Sequence, residues 1–169
     1  MAKGKDDFMS KTMTRESVKM WCMDCRTCKS LSGELKLSPG PVIHEGVYWR
    51  AEHIYPTKTL GWLVIVLKRH VEALHDLSVE EVCELGEIQL RLALLLHQEL
   101  RCSKEYSWCF ADTDGFSHIH SMLFATPNDL DSINRGANIF DWLNSKSSAP
   151  ILESEVVKFC ETLRRKMSS

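Results

Sequence analysis

The 169-residue chain has no long apolar run. Its longest stretches, Trp62–Leu67 and Leu92–Leu96, fall far short of the roughly 20 residues a helix needs to cross a bilayer. The polar opening segment, Met1 to Lys19, lacks the apolar centre of a secretory leader, so a cytoplasmic setting is expected. Charge of one sign is missing too: 21 Lys and Arg stand against 23 Asp and Glu, for a net −2. No basic field is present to track a nucleic-acid polymer or to hold the chain on an anionic membrane. A single nucleotide would not need one. Repeats and low-complexity blocks are also absent. The cysteine count is odd, at seven. In a reducing compartment that favours metal or thiol chemistry over a disulfide framework.

What is present is ordinary globular composition, 44% hydrophobic and 26% charged, in a chain long enough to bury a real core. Residues 1–19 read as a flexible tail and 20–169 as one domain, with order beginning at Met20-Trp21. Gly46–Glu52 has strand-like composition, and Trp62–Leu67 is a continuous β-rich run, the mark of a strand buried on both faces. Ser78 with Glu81 three residues on forms a capping box. Val82, Leu85, Ile88, Leu92, Leu95 and Leu96 then recur at helical spacing to about Leu100, with His97 as a boundary residue at the far end. Tyr106–Phe110 and His118–Phe124 read as strands joined through an Asp114-Gly115 turn. Ile139–Leu143 suggests a short helical anchor, and Glu153–Lys166 a C-terminal helix whose basic last turn suits the helix dipole. The sum is an α+β domain with a largely antiparallel sheet of about five strands.

Two stretches carry chemistry. Cys22-x-x-Cys25-x-x-Cys28 holds two overlapping Cys-x-x-Cys pairs, the loop that lets two thiolates reach one tetrahedral zinc. No second such pair exists, so the remaining ligands would come from distant residues, with His70 and His118 as candidates. The same thiols also suit small reduced core residues. In His118-Ile119-His120-Ser121-Met122 the alternation of a strand puts His118, His120, Met122 and Phe124 on one face, with the two imidazoles about 7 Å apart. Ile119, Ser121 and Leu123 take the other face. A half-exposed strand that happens to carry histidine would read the same way.

Taken together, these segments resemble the histidine-triad (HIT) superfamily of nucleotide hydrolases and transferases, over roughly Cys25 to Phe124. Cys25-Arg-Thr-Cys28 with Gly33-Glu34 behind it is similar to the family's opening. Gly61-Trp62-Leu-Val-Ile-Val-Leu-Lys68-Arg69-His70 is similar to its Lys-x-His segment, and His118-Ile-His120-Ser-Met122-Leu-Phe to its signature. The resemblance implies zinc held by Cys25, Cys28, His70 and His118, and a nucleophilic His120 that attacks the α-phosphorus of a nucleotide conjugate. The conjugate would be a phosphoramidate or a dinucleoside polyphosphate, passing through a nucleotidyl-histidine. It also implies a homodimer. Ser117 and the backbone at Gly115 are candidate donors to the phosphoryl oxygens, and Glu52 is the candidate ribose contact.

Three departures stand out. The third triad position is Met122, whose thioether donates no hydrogen bond. The family's Gly-His becomes Gly61-Trp62, an aromatic suited to packing. The loop 112–117 is short. Met122 and Trp62 motivate the competing reading of a zinc-stabilised, non-catalytic module that binds a nucleotide or a protein.

Overall fold

The computed structural model describes residues 24–112, 114–145 and 149–169. The expected tail, Met20-Trp21 and Cys22 lie outside the described residues.

A five-stranded antiparallel sheet forms in the order β1-β2-β3-β5-β4. Its strands are β1 (His44–Glu45), β2 (Trp49–His53), β3 (Trp62–Leu67), β4 (Glu105–Phe110) and β5 (His120–Ala125). Helices α1 (Arg26–Ser32), α2 (Val79–Leu100), α3 (Ile139–Asn144) and α4 (Glu153–Met167) complete the mixed α+β architecture.

The long helix begins where its capping box places it: the Ser78 hydroxyl accepts from the Glu81 N–H, and the Ser78 N–H donates to the Glu81 carboxylate. Its Ile88, Leu92 and Leu96 pack with Val156, Phe159 and Leu163 of α4 onto one face of the sheet, against Leu63, Ile65, Leu67, Ile119 and Leu123. Val82, expected in that apolar stripe, is exposed instead. The buried residue of that first turn is Glu81, which takes the Arg69 guanidinium at 2.6 and 2.8 Å. The opposite face carries a second cluster at one end, in which Phe124, Leu130, Ile139 and Leu143 pack with Trp62, Trp108 and Trp142. Trp62 is therefore a packing residue, its ring edge-on to Phe124.

Two strand boundaries differ from expectation. The stretch 46–48 is a hairpin tip rather than strand: the Gly46 N–H donates to the Trp49 carbonyl, and the Tyr48 N–H is taken by the Glu84 carboxylate of α2. The strand expected from His118 starts at His120. Ile119 bonds across to both Leu67 and Val71, so residues 68–70 bulge out between those two contacts. That bulge is what brings His70 beside His118. Helix α1 carries no strong apolar period in the sequence. It starts at the Cys25 N-cap and stops at Gly33, whose φ of 84° is the left-handed conformation that favours glycine.

Candidate functional site

Cys25 and Cys28 sit three residues apart at the start of α1, so both sulfurs face one side of its first turn. His70 arrives on the bulge after β3 and His118 on the segment leading into β5. The four ligand atoms lie within 4.8 Å of one another. His118 Nδ1 is 3.6 Å from Cys25 Sγ and 3.5 Å from Cys28 Sγ, while His70 Nδ1 is 3.5 Å from Cys28 Sγ and 3.3 Å from His118 Nδ1.

Those separations admit a quantitative test. Zinc–sulfur and zinc–nitrogen bonds of ordinary length at the tetrahedral angle give S···N edges of about 3.6 Å and N···N edges of about 3.3 Å. The four separations above match edges of such a tetrahedron, and the other two lie within 4.8 Å. Both imidazoles are also turned correctly. His118 Nε2–H donates to the Leu67 carbonyl at 2.6 Å, and His70 Nε2 lies 3.0 Å from a Glu72 carboxylate oxygen. Each outer partner fixes the tautomer that leaves Nδ1 its lone pair, which is how proteins commonly orient metal-binding histidines. Burial lowers the His118 pKa to about 4, holding the ring in the neutral form a metal needs. The donor set fits zinc.

His120 stands two residues on, in β5. Its Nδ1–H donates to the His118 carbonyl at 2.8 Å, so Nε2 is the nitrogen with the available lone pair. The ring borders a cavity of about 300 Å³, about the lower size of small-molecule sites. Met122, Val64 and Val66 form the floor, Glu52, Ile54 and Tyr55 come from the β2 side, and Thr27, Ser30 and Phe116 form the wall. The alternation expected along the signature holds from His120 to Ala125: His120 and Met122 face the cavity, while Leu123 packs under α2. Burial raises the Glu52 carboxyl above its ordinary range, partly offset by Arg50 at 3.8 Å.

The structure thus brings His120, Met122 and Glu52 to one cavity and Cys25, Cys28, His70 and His118 to one adjoining cluster. It does not bring Ser117 or Gly115 into the lining. Ser117 is exposed. The Gly115 carbonyl accepts the Arg26 N–H at 2.8 Å, and a Cβ on Gly115 would meet Arg26 Cδ at 3.2 Å, so this glycine docks α1. Phe116, between them, is the loop residue that reaches the cavity, with the Arg26 guanidinium over its ring.

Sequence reasoning missed Thr27 and Ser30, because α1 itself was not foreseen. It also missed His53, which is fully buried. His53 Nδ1–H donates to the Ile54 carbonyl and Nε2 accepts the Gly61 N–H, tying β2 to the start of β3. The signal was its place next to Glu52 in a strand whose alternate residues are apolar.

Neither a protein-family model nor a curated protein matches the chain. Solved structures do match. A HIT-like protein involved in cell-cycle regulation from Bartonella henselae aligns with a TM-score of 0.63 at 10% identity, over 84% of this chain and 95% of that one. A zinc-bound histidine triad family protein from Mycobacterium smegmatis gives 0.60 at 17% identity, over 86% and 96%. A hypothetical histidine triad nucleotide-binding protein from Sulfolobus tokodaii gives 0.61 at 16% identity, over 85% and 92%. The fold of this chain is the histidine-triad fold.

Proposed function

We propose that this protein is a cytoplasmic, zinc-containing nucleotide hydrolase or nucleotidyl transferase that works through His120. The observation that carries the reading is the His120 ring, fixed through Nδ1 to the His118 carbonyl with Nε2 left to act on the cavity it lines. In this reading Nε2 attacks the α-phosphorus of a bound nucleotide conjugate. A phosphorus–nitrogen bond forms as the bond to the leaving group breaks, and the leaving group departs with the electron pair. Water or a second acceptor then attacks the same phosphorus, displaces His120 and releases the nucleoside monophosphate or its new ester.

In this reading Glu52, which lines the cavity, accepts the ribose hydroxyls, while Thr27 and Ser30 supply hydroxyl donors on its wall. Thr27 and Ser30 take the role that Gly115 and Ser117 were expected to fill. Zinc, held by Cys25, Cys28, His70 and His118, supplies structure by crosslinking α1 to the sheet. A histidine triad protein described as nucleotide-binding and one described as zinc-bound share the fold, which supports both parts of the reading. A homodimer is part of it as well.

The test is incubation with an adenosine phosphoramidate and with a dinucleoside polyphosphate. Wild type is expected to release AMP from at least one of them, and denaturing intact-mass analysis to catch a nucleotidyl adduct. His120→Ala is expected to lose the adduct and at least 10³-fold in rate. Equal rates from the two proteins would end the assignment.

A second reading rests on Met122. Without a donor at the third position, the same cavity would bind a nucleotide and turn nothing over, which calorimetry with AMP alongside the assay would separate from catalysis.

A further inference from the structure

Outside the cluster at α1, one other group of metal-ligating side chains comes together among the described residues. Helix α2 ends at Leu100, and Arg101, with φ of 51°, turns the chain back on itself. Asn128 holds that turn through the Arg101 carbonyl at 2.9 Å. The reversal tucks Cys102 beneath the last helical turn, only 2% exposed, and starts β4 at Glu105. His97 stands in that last turn on the surface. One carboxylate oxygen of Glu105 lies 3.0 Å from Cys102 Sγ and 3.5 Å from His97 Nδ1. All three ligand atoms fall within 4.8 Å of one another.

We propose that His97, Cys102 and Glu105 form a second divalent-cation site that takes a zinc-class ion. The donor set is nitrogen, sulfur and carboxylate oxygen, the three types zinc accepts, and tetrahedral bonding asks for N···O and S···O edges of about 3.4 and 3.6 Å. The N···O separation is already that of a bound ion. The S···O separation is that of a thiol donating to a carboxylate, so the ion takes the place of the thiol proton, which leaves to solvent, and the edge opens by about half an ångström. The unpaired carbonyls at the end of α2 add negative potential at the same point. His97 is 63% exposed in its side chain, so the site is open on one side and water completes the coordination. This is the pattern of a site that exchanges its ion, in contrast to the closed four-residue cluster.

The two centres are separate. Glu105 pairs with Ala125 at one end of β5, while His118 lies beyond the other end at His120, about 20 Å away along the strand.

The full-length protein, stripped of metal and titrated with Zn²⁺, tests this by native mass spectrometry. Wild type is expected to reach two ions per chain, the second filling after the first. His97→Ala and Cys102→Ser are each expected to stop one ion short. His97 is a surface residue, so its variant folds whether or not the buried Cys102 tolerates change. With Co²⁺, the thiolate-to-cobalt absorption added by the second equivalent is expected in wild type and lost in Cys102→Ser. A wild type that stops at one ion, or a His97→Ala variant that keeps the wild-type count, overturns the proposal. Neither readout involves nucleotide turnover, so the outcome stands apart from the function proposed for His120.

Discussion

At the scale of single residues, His118 and His120 are neighbours with divided labour. The ring of His118 is spent on the cluster and on the Leu67 carbonyl, and its backbone carbonyl orients His120. Met122 follows on the same face, and its thioether brings no hydrogen-bond donor to the cavity. Met122→His restores a ring nitrogen there and is expected to raise kcat for phosphoramidate cleavage by about ten-fold or more, since a positioned acid is worth about 10²–10⁴ in favourable cases. Steady-state kinetics on the folded variant decide it, and an unchanged kcat shows that the third position does not limit turnover. His53 makes a different kind of claim. Burial lowers its pKa to about 4. Between pH 6.5 and 4 the unfolded chain therefore takes up a proton that the folded one refuses, and stability falls as pH falls across that window. The shift corresponds to about 3 kcal/mol at most. Urea unfolding at pH 4.5 and 7.5 is expected to show a smaller difference in His53→Gln than in wild type. A His53→Gln variant with the same pH dependence would remove His53 as the cause.

At the scale of elements, α1 depends on others for its place. Seven residues are too few to hold a helix in water alone. It is fixed by the Arg26 N–H bond to Gly115, by the Arg26–Phe116 contact and by the two cysteines of the cluster. Because α1 also presents Thr27 and Ser30 to the cavity, removing zinc with a chelator is expected to lower Tm. It should also raise amide exchange in 26–32 and weaken AMP binding, while α2 and α4 stay protected. Uniform loss of protection would mean that the metal holds the whole fold and not this wall. The contrast with α2 explains what the sequence disclosed. Ser78 and Glu81 are a local signal, and local signals survive in one dimension. The bidentate Arg69–Glu81 pair, the bulge that delivers His70 and the docking of α1 are long-range consequences, invisible until β3 and β5 pair. His70 and His118 were candidates from their positions alone, but the choice of Cys25 with Cys28 came from resemblance. Spacing alone offered Cys22 as readily as Cys28.

For the whole molecule, the sheet order leaves β4 at an edge, with one side unpaired among the described residues. Exposed edges invite pairing with another chain, and the neighbouring helix adds apolar surface: Val79, Val82, Leu90 and Leu94 of α2 are all more than half exposed. Helix α2 lies against this edge, since Gln89 bonds the Ser107 hydroxyl of β4 and the Ser121 hydroxyl of β5. A second copy meeting β4 about a two-fold axis would extend the ladder and bring the two α2 stripes together, covering both liabilities by one isologous contact. Leu90→Glu/Leu94→Glu would bury two carboxylates in that contact while leaving the monomer's core untouched. The wild type is therefore expected to run as a dimer in light scattering coupled to size exclusion, and the double variant as a monomer with an unchanged far-ultraviolet spectrum. A wild type that stays monomeric at about 100 μM, well above the Kd of most stable dimers, would leave the edge and the stripe without this partner.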